Sequence, residues 1–322
     1  MAMAVVFFGA HRFGKYLPQN QNSDVIESSD AISLPLKGSV TLLTLYVLIR
    51  LIPKEYFLML ISFCIHTLGV FTLITFMSSY LKPRILVGIF SLTIGILSFW
   101  WGNWIANNIL ASILGIVSIE SLVCDNFFTS FILLIGLFFY DIFWVFGTDA
   151  MITVATGIDG PIKLVFPATI FGDHTKKSLL GLGDLVIPGL FIAQLLVFSR
   201  DFVKRGNLYF NIGMIAYFIS LLNTMIVMVY FQHGQPALLF IVPWLLVTFC
   251  LSVWYNGDTD AALRFTVTKL YLEGKDESKT NGLISEEDSI DNPHAKCKNF
   301  SMENLEKKSD LMMNGEKLKK NN

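Results

Sequence analysis

Two aspartates lie where an acid is costly. Asp141 falls inside the apolar run 131–146, and Asp184 inside the apolar run 179–190. A carboxylate near the centre of a bilayer costs about 2.5–3.5 kcal/mol on insertion scales, so each implies a partner or a wet cavity. Two carboxyl groups brought together in a low-dielectric site do not both ionise easily, and the pair then holds one proton between them. Such a pair is an acid and a base in one place. Its ionised member can take a proton from water attacking a carbonyl carbon, while its protonated member stabilises the charge developing on the oxygen. The same pair could relay protons for coupled transport. The residue types alone leave both readings open.

For either chemistry the acids must meet, and their spacing permits it. Asp141 lies eight residues before Asp149, and Asp184 lies seven after Lys177. If both runs are helical and antiparallel, these offsets are about 12 and about 10 Å from one membrane face. The loop between the runs extends from Asp149 to Lys177 and contains two β-prone segments, 151–155 and 162–166, around Gly157, Gly160 and Pro161. The second is expected to offer its edge to an extended peptide just before Gly181.

The elements that must carry the pair follow from composition. Of the 322 residues, 53% are hydrophobic and 15% charged, whereas soluble domains carry about 25% charged residues. About half of the charged residues follow Tyr255. This excludes an ordinary soluble enzyme, and a net charge of -1 gives no basic footprint for nucleic acid. The chain reads as an all-α polytopic membrane protein, residues 1–255, followed by a polar tail, residues 256–322, expected to be disordered. Candidate spans are 39–53, 56–81, 85–102, 105–119, 127–148, 179–198, 208–231 and 236–255. The uncharged stretch from Ile85 to Ile119 would measure about 53 Å as a single helix, too long for one crossing, and divides at the interfacial cluster Trp101-Gly102-Asn103-Trp104. Met1–Ala10 is a short ninth span. It lacks the preceding basic region of a cleaved signal peptide, and Arg12 follows it instead.

With nine spans and the tail in the cytosol, 19 of the 24 Lys and Arg fall on the cytosolic side, as the positive-inside rule favours. The tail ends Lys319-Lys320-Asn321-Asn322, which resembles a dilysine retrieval signal of endoplasmic reticulum membrane proteins. The sequon Asn299-Phe300-Ser301 then faces the cytosol and is expected to stay unmodified. Cys64, Cys124, Cys250 and Cys297 are far apart and suggest neither a disulfide framework nor a metal knuckle. His66 and His233 have no ligand-spaced companion and read as packing or interfacial residues; Asn107, Asn108 and Gln194 read as links between helices.

Three motifs choose between the chemistries. Tyr140-Asp141, Gly181-Leu182-Gly183-Asp184 and Gln235-Pro236-Ala237-Leu238 fall in order on the sixth, seventh and ninth spans and resemble the Y-D, G-x-G-D and P-A-L set of the intramembrane aspartic proteases. The longer strings 139–148, 161–167 and 235–243 resemble the signal peptide peptidase branch rather than the presenilins, whose orientation is reversed. The resemblance implies a presenilin-like bundle of about nine helices, with Asp141 and Asp184 as the catalytic pair and no cofactor or metal. It also implies substrates that are signal peptides and other type II spans in the endoplasmic reticulum bilayer, and self-association into a homo-oligomer. Two departures stand out: Met1–Ala10 stands where the family has a full first helix, which is either a short or tilted span or the remnant of a longer one, and Phe240 replaces a frequent Tyr.

Physical roles can be given to the supporting residues. Gly181 and Gly183 let a backbone approach Asp184, and Leu182 lies between them. Tyr140 points about 100° away from Asp141 on a helix and reads as a substrate-side or helix-orienting phenol. Pro236 can open a helix without losing a useful donor, and Ala237 leaves room beside the acids. Gln235 and Leu238 complete that helix head.

Overall fold

The computed structural model describes residues 1–16, 24–26, 28–51, 54–147, 159–167, 177–231 and 236–267. Within them the chain runs α1 (Ala2–Tyr16), β1 (Asp24–Ile26), α2 (Ser28–Leu51), α3 (Lys54–Ser78), α4 (Arg84–Trp101), α5 (Trp104–Ser121), β2 (Leu122–Cys124) and α6 (Phe127–Gly147). It continues through β3 (Lys163–Pro167), β4 (Lys177–Gly181), α7 (Gly183–Val197), α8 (Leu208–Phe231), α9 (Leu238–Asn256) and the short α10 (Thr259–Arg264). A π-helical turn, Phe198–Phe202, extends α7. Among the described residues eight helices are long and apolar enough to cross a membrane.

Burial sorts these helices. In α7, 78% of the membrane-length window is buried, against 44% or less in every other span. A helix apolar all round and surrounded by others is the core of its bundle. α1 packs against α7 and α5, while α8, α9 and α6 lie on other sides. Small residues set the closest approaches. A Cβ on Gly189 of α7 would lie 2.6 Å from Ile119 Cδ1, and one on Gly9 of α1 would lie 3.0 Å from the same atom. Toward one end, Phe127, Phe191, Phe198 and Phe249 form a cluster of edge-to-face and tilted rings, each such pair adding about 0.5–1.5 kcal/mol beyond burial.

Beside this core, α3 and α4 form an antiparallel pair, and the turn from α4 to α5 divides the long apolar stretch where the aromatic cluster predicts. Gly102 adopts φ +57° as the C-cap of α4, a left-handed conformation suited to glycine. Asn103 then caps α5 by accepting from the Ile105 N–H at 2.9 Å. α2 packs along α6, with Gly136 against Pro35, Gly38 against Tyr140, and Trp144 Nε1 donating to Ser39 Oγ at 3.1 Å.

Four sequence expectations change. The second span starts at Ser28 rather than residue 39, because Pro35 and Lys37, which lower the local hydropathy, are accommodated inside α2; Lys37 lies 3.6 Å from Asp30. Lys37 therefore leaves the loop in which the charge count had placed it. The first span is a helix of 15 residues, and its Arg12, 15% exposed, pairs with Glu120, 14% exposed, at 2.7 Å. The seventh helix starts at Gly183, since residues 177–181 form a strand. Finally, residues 256–267 belong to the compact unit Met1–Val267. There Phe265 is fully buried on Phe127 and Phe198, and the Val267 N–H donates to the Asp125 carbonyl at 2.7 Å.

The packing around α7 leads to a stability difference between two glycines. Gly189→Leu must push into Ile119 and Val6 and is expected to cost about 1–3 kcal/mol, as overpacking does. Gly88 has nothing within 4 Å of its Cβ position, so Gly88→Leu should leave the thermal midpoint in the same detergent unchanged.

Candidate active site

Asp141 lies on α6 and is 2% exposed. Its Oδ2 accepts a hydrogen bond from the backbone N–H of Leu238 at 3.1 Å. That donor exists because α9 begins there: the first N–H groups of a helix have no partner inside it, and the preceding Ala237 makes no side-chain cap. Pro236 has no N–H of its own, so the chain turns into α9 without burying another donor. The carboxylate thus occupies the positive end of a helix, where negative charge is favoured.

Asp184 is in the first turn of α7 and half-buried. Its carboxyl lies within reach of the charge of Asp141, so the structure brings the two acids to one region. The route to that position differs from the two-helix reading. β3 and β4 form an antiparallel hairpin, pairing Lys163 with Gly181, Leu164 with Leu180, Val165 with Leu179, Phe166 with Ser178 and Pro167 with Lys177. The Leu182 N–H adds a bond to the Ile162 carbonyl at 2.8 Å, and the Val186 N–H bonds back to Leu182 at 2.9 Å as the helix begins. The depth of Asp184 is therefore set by a strand rising about 3.3 Å per residue, rather than by helical rise.

Gly181 has a local reason. A Cβ there would lie 3.2 Å from Asp184 Oδ2, so any larger side chain would press on the carboxyl. Gly183 has nothing within 4 Å of its Cβ position and leaves open space beside the acid. Leu182 approaches Gly115 of α5, whose Cβ position is 3.3 Å from Leu182 Cδ1. Tyr140 faces α2, with its ring 3.5 Å from the Cβ position of Gly38 and 6.3 Å from Trp144. Pro236, Ala237 and Leu238 are buried at the head of α9. Gln235, His233 and the β-prone run 151–155 lie outside the described residues, as do Lys319 and Lys320.

The hairpin is held from its other side by α5. Asn108, 1% exposed, accepts from the Val165 N–H and donates to the Val165 carbonyl, both at 2.8 Å. Asn107 donates to the Lys163 carbonyl at 2.9 Å. Both asparagines bind a strand, a correction to their reading as helix links. Gln194 does link elements, contacting Ser130 of α6 and, at 3.3 Å, the Cys124 carbonyl of β2. Two further features had no readable signal: the phenol of Tyr217, buried and without a hydrogen-bond partner within reach of the charge of Asp184, and Pro188, which deprives the Asp184 carbonyl of its usual helical donor. Among the described residues no group of three His, Cys, Asp or Glu could hold a metal ion.

Comparison with known proteins identifies the architecture that carries this site. Residues 71–268 match the family profile described as signal peptide peptidase. The signal peptide peptidase of Mus musculus is 35% identical over 284 residues, covering 76% of this chain and 75% of its own. The chain belongs to the signal peptide peptidase family. It is an intramembrane aspartic protease with several membrane-spanning helices. A probable intramembrane protease of Schizosaccharomyces pombe is 34% identical over 276 residues, covering 82% of this chain and 91% of its own. Among solved structures, a presenilin family intramembrane aspartate protease aligns with a TM-score of 0.48 and 19% identity, covering 77% of this chain and 94% of that one.

In this protease Asn108 is the clamp whose loss should be read at the hairpin. Asn108→Leu strips partners from a buried N–H and a buried carbonyl, each worth about 1–3 kcal/mol when left unsatisfied. Hydrogen–deuterium exchange at the Val165 amide is expected to accelerate at least about ten-fold, while exchange in the middle of α7 stays slow.

Proposed function

We propose that Asp141 and Asp184 hydrolyse peptide bonds of transmembrane segments, signal peptides and other type II spans, within the endoplasmic reticulum membrane. The observation that carries this reading is the Leu238 N–H on the buried Asp141 carboxylate, with the carboxyl of Asp184 in range of its charge. A hydrogen bond from an N–H favours the ionised form of its acceptor, so Asp141 is the base and Asp184 holds the shared proton. Asp141 takes a proton from water as the oxygen bonds to the scissile carbonyl carbon. Asp184 gives its proton to the carbonyl oxygen. As the tetrahedral intermediate collapses, the C–N bond breaks, the amine leaves with the proton held on Asp141, and the carbonyl re-forms with a proton returned to Asp184.

A helical substrate must first unwind, and its freed backbone groups need partners away from water. The hairpin offers one edge for this. Val165 turns its N–H and carbonyl toward Asn108, so in the antiparallel register its partner Leu179 turns its own away from β3, as Gly181 does opposite Lys163. The outer edge of β4 therefore leads directly to Asp184 and suits an added strand. This replaces the expectation that the segment 162–166 receives substrate, since its outer side faces the asparagines. The dilysine-like Lys319-Lys320 and the charge bias toward a cytosolic tail support residence in the endoplasmic reticulum. Self-association is proposed on the family resemblance alone.

Purified protein reconstituted with a radiolabelled signal peptide tests the pair. Asp141→Asn and Asp184→Asn should each lower cleavage by about 10³-fold or more, and a hydroxyl-bearing transition-state mimic should block the wild type. Retained cleavage in either variant would remove the assignment.

The edge has its own test. Leu179→Pro deletes an outward N–H while sparing the β3–β4 ladder, a placement that proline tolerates on edge strands. Cleavage should fall at least about ten-fold with the hairpin amides still protected from exchange. Leu164→Pro breaks the ladder itself and should lose both. Undiminished turnover in Leu179→Pro means that substrate does not use this edge.

A further inference from the structure

Behind the aspartates lies a phenol that no neighbour satisfies. Tyr217 of α8 is 0% exposed, and its hydroxyl has no hydrogen-bond partner among the described residues. α8 docks closely on α7 just before it. A Cβ on Gly213 would lie 2.7 Å from Leu195 Cδ1, and Tyr217 follows one turn later on the same face. Further along α8, Ser220 and Thr224 return their hydroxyls to carbonyls of their own helix at 2.7 and 2.8 Å, as short hydroxyl side chains do. The stiff ring of Tyr217 holds its hydroxyl away from that backbone.

A buried donor without a partner costs stability, and phenylalanine would fill the same space without that cost. α8 and α9 carry no Asp, Glu, Lys, Arg or His, and the charge that reaches the phenol is that of Asp184. The two aspartates differ in what they already have. Asp141 holds the Leu238 N–H, whereas the Asp184 carboxyl has no hydrogen-bond donor among the described residues. A protonated acid tolerates this, since it carries a donor of its own. A carboxylate in an apolar site does not. In the proposed hydrolysis Asp184 passes from the first state to the second, as its proton moves to the scissile carbonyl oxygen.

We propose that Tyr217 is a positioning residue for Asp184, its phenol hydrogen-bonded through ordered water to the carboxyl and holding that carboxyl once it has given up its proton. The inference rests on the reading of Asp184 as the acid of the pair. Tyr217 keeps its own proton throughout and passes none to the substrate. A hydrogen bond to an ionised acceptor is about twice as strong as one to a neutral group, so the contact gains strength as the tetrahedral intermediate forms. An interaction stronger in the transition state than in the ground state raises the rate of the chemical step rather than the hold on substrate. Being fully buried, Tyr217 is out of reach of the substrate and acts only through Asp184.

The test compares wild type, Tyr217→Phe and Asp184→Asn as full chains reconstituted in vesicles with a radiolabelled signal peptide. Tyr217→Phe removes one oxygen and keeps the ring. Its kcat should fall about ten-fold, the weight of one hydrogen bond to a charged group, with KM within about two-fold of wild type. The thermal midpoint should be unchanged or higher, because an unpaired buried hydroxyl is gone. 3-Fluorotyrosine introduced at position 217 keeps the donor and should restore kcat. A residue that only packs would behave otherwise, since its loss lowers the midpoint and is not rescued by a hydroxyl. Wild-type kcat in Tyr217→Phe, a loss that tracks a lowered midpoint or a raised KM, or failure of 3-fluorotyrosine to restore kcat would each overturn the inference. If Asp184→Asn is inactive while Tyr217→Phe is not impaired, this inference falls and the aspartate pair stands; if Asp184→Asn retains cleavage, both fall.

Discussion

A carboxyl group 2% exposed among apolar helices requires a polar neighbour, and Asp141 has one in the N–H of Leu238. The bond serves both sides. A helix begins with N–H groups that no residue of its own can satisfy, and in a bilayer water is not available to take them. The acid is thereby met without a second charged residue, and the start of α9 is met without a side-chain cap. Pro236 and Ala237 are what make the exchange compact, one removing a donor and the other a bulky side chain. Fixing α9 against α6 also closes one side of α7, the most buried helix of the bundle.

The same shortage of water governs the β hairpin. Irregular backbone at membrane depth is tolerated only where protein supplies the missing bonds, and α5 supplies them from side chains. The Asn108 amide presents one acceptor and one donor to Val165, as a neighbouring strand would. An amide carries its acceptor and its donors on separate atoms of one plane, so it can do both at once. With Asn107 on the Lys163 carbonyl, one face of β3 is closed, and the remaining edge of the hairpin is that of β4.

Much of this was legible in the sequence where hydropathy carries the signal. The turn at Trp101–Trp104, the spans from Phe127 and Leu208, and the isolation of Asp141 in an apolar run all follow from the cost of charge in hydrocarbon. The start of α2 did not, because Asp30, Pro35 and Lys37 lower the local hydropathy while the acid and base lie 3.6 Å apart along the helix. Residues 179–181 were read as the head of a helix because Leu-Leu-Gly has neither an alternating nor a helical period, and only the paired glycines hinted at a break. Asn107 and Asn108 were visible as buried amides, but an amide bonds a helix or a strand equally well, so their partner waited for the fold. Phe265 lies in the segment read as a polar tail. Its burial against Phe127 is a long-range fact that no local pattern encodes.

The strand before Asp184 is a choice with a chemical consequence. Were residues 177–181 helical, their N–H and carbonyl groups would be consumed within the helix, and the chain would reach the acid with only side chains exposed. As an edge strand it presents backbone groups at Leu179 and Gly181, and the missing side chain at Gly181 leaves 3.2 Å between its Cβ position and the Asp184 carboxyl. On the proposed function, the groups that hold an unwound peptide and the group that protonates it are then separated by Leu182 and Gly183 alone. An edge of this kind recognises extended backbone before it recognises any particular side chain. Selection therefore falls on whether a span can surrender its helix near the hairpin, a property set by glycine, β-branched and polar residues in the substrate, and the enzyme needs no deep pocket for a fixed residue to be discriminating.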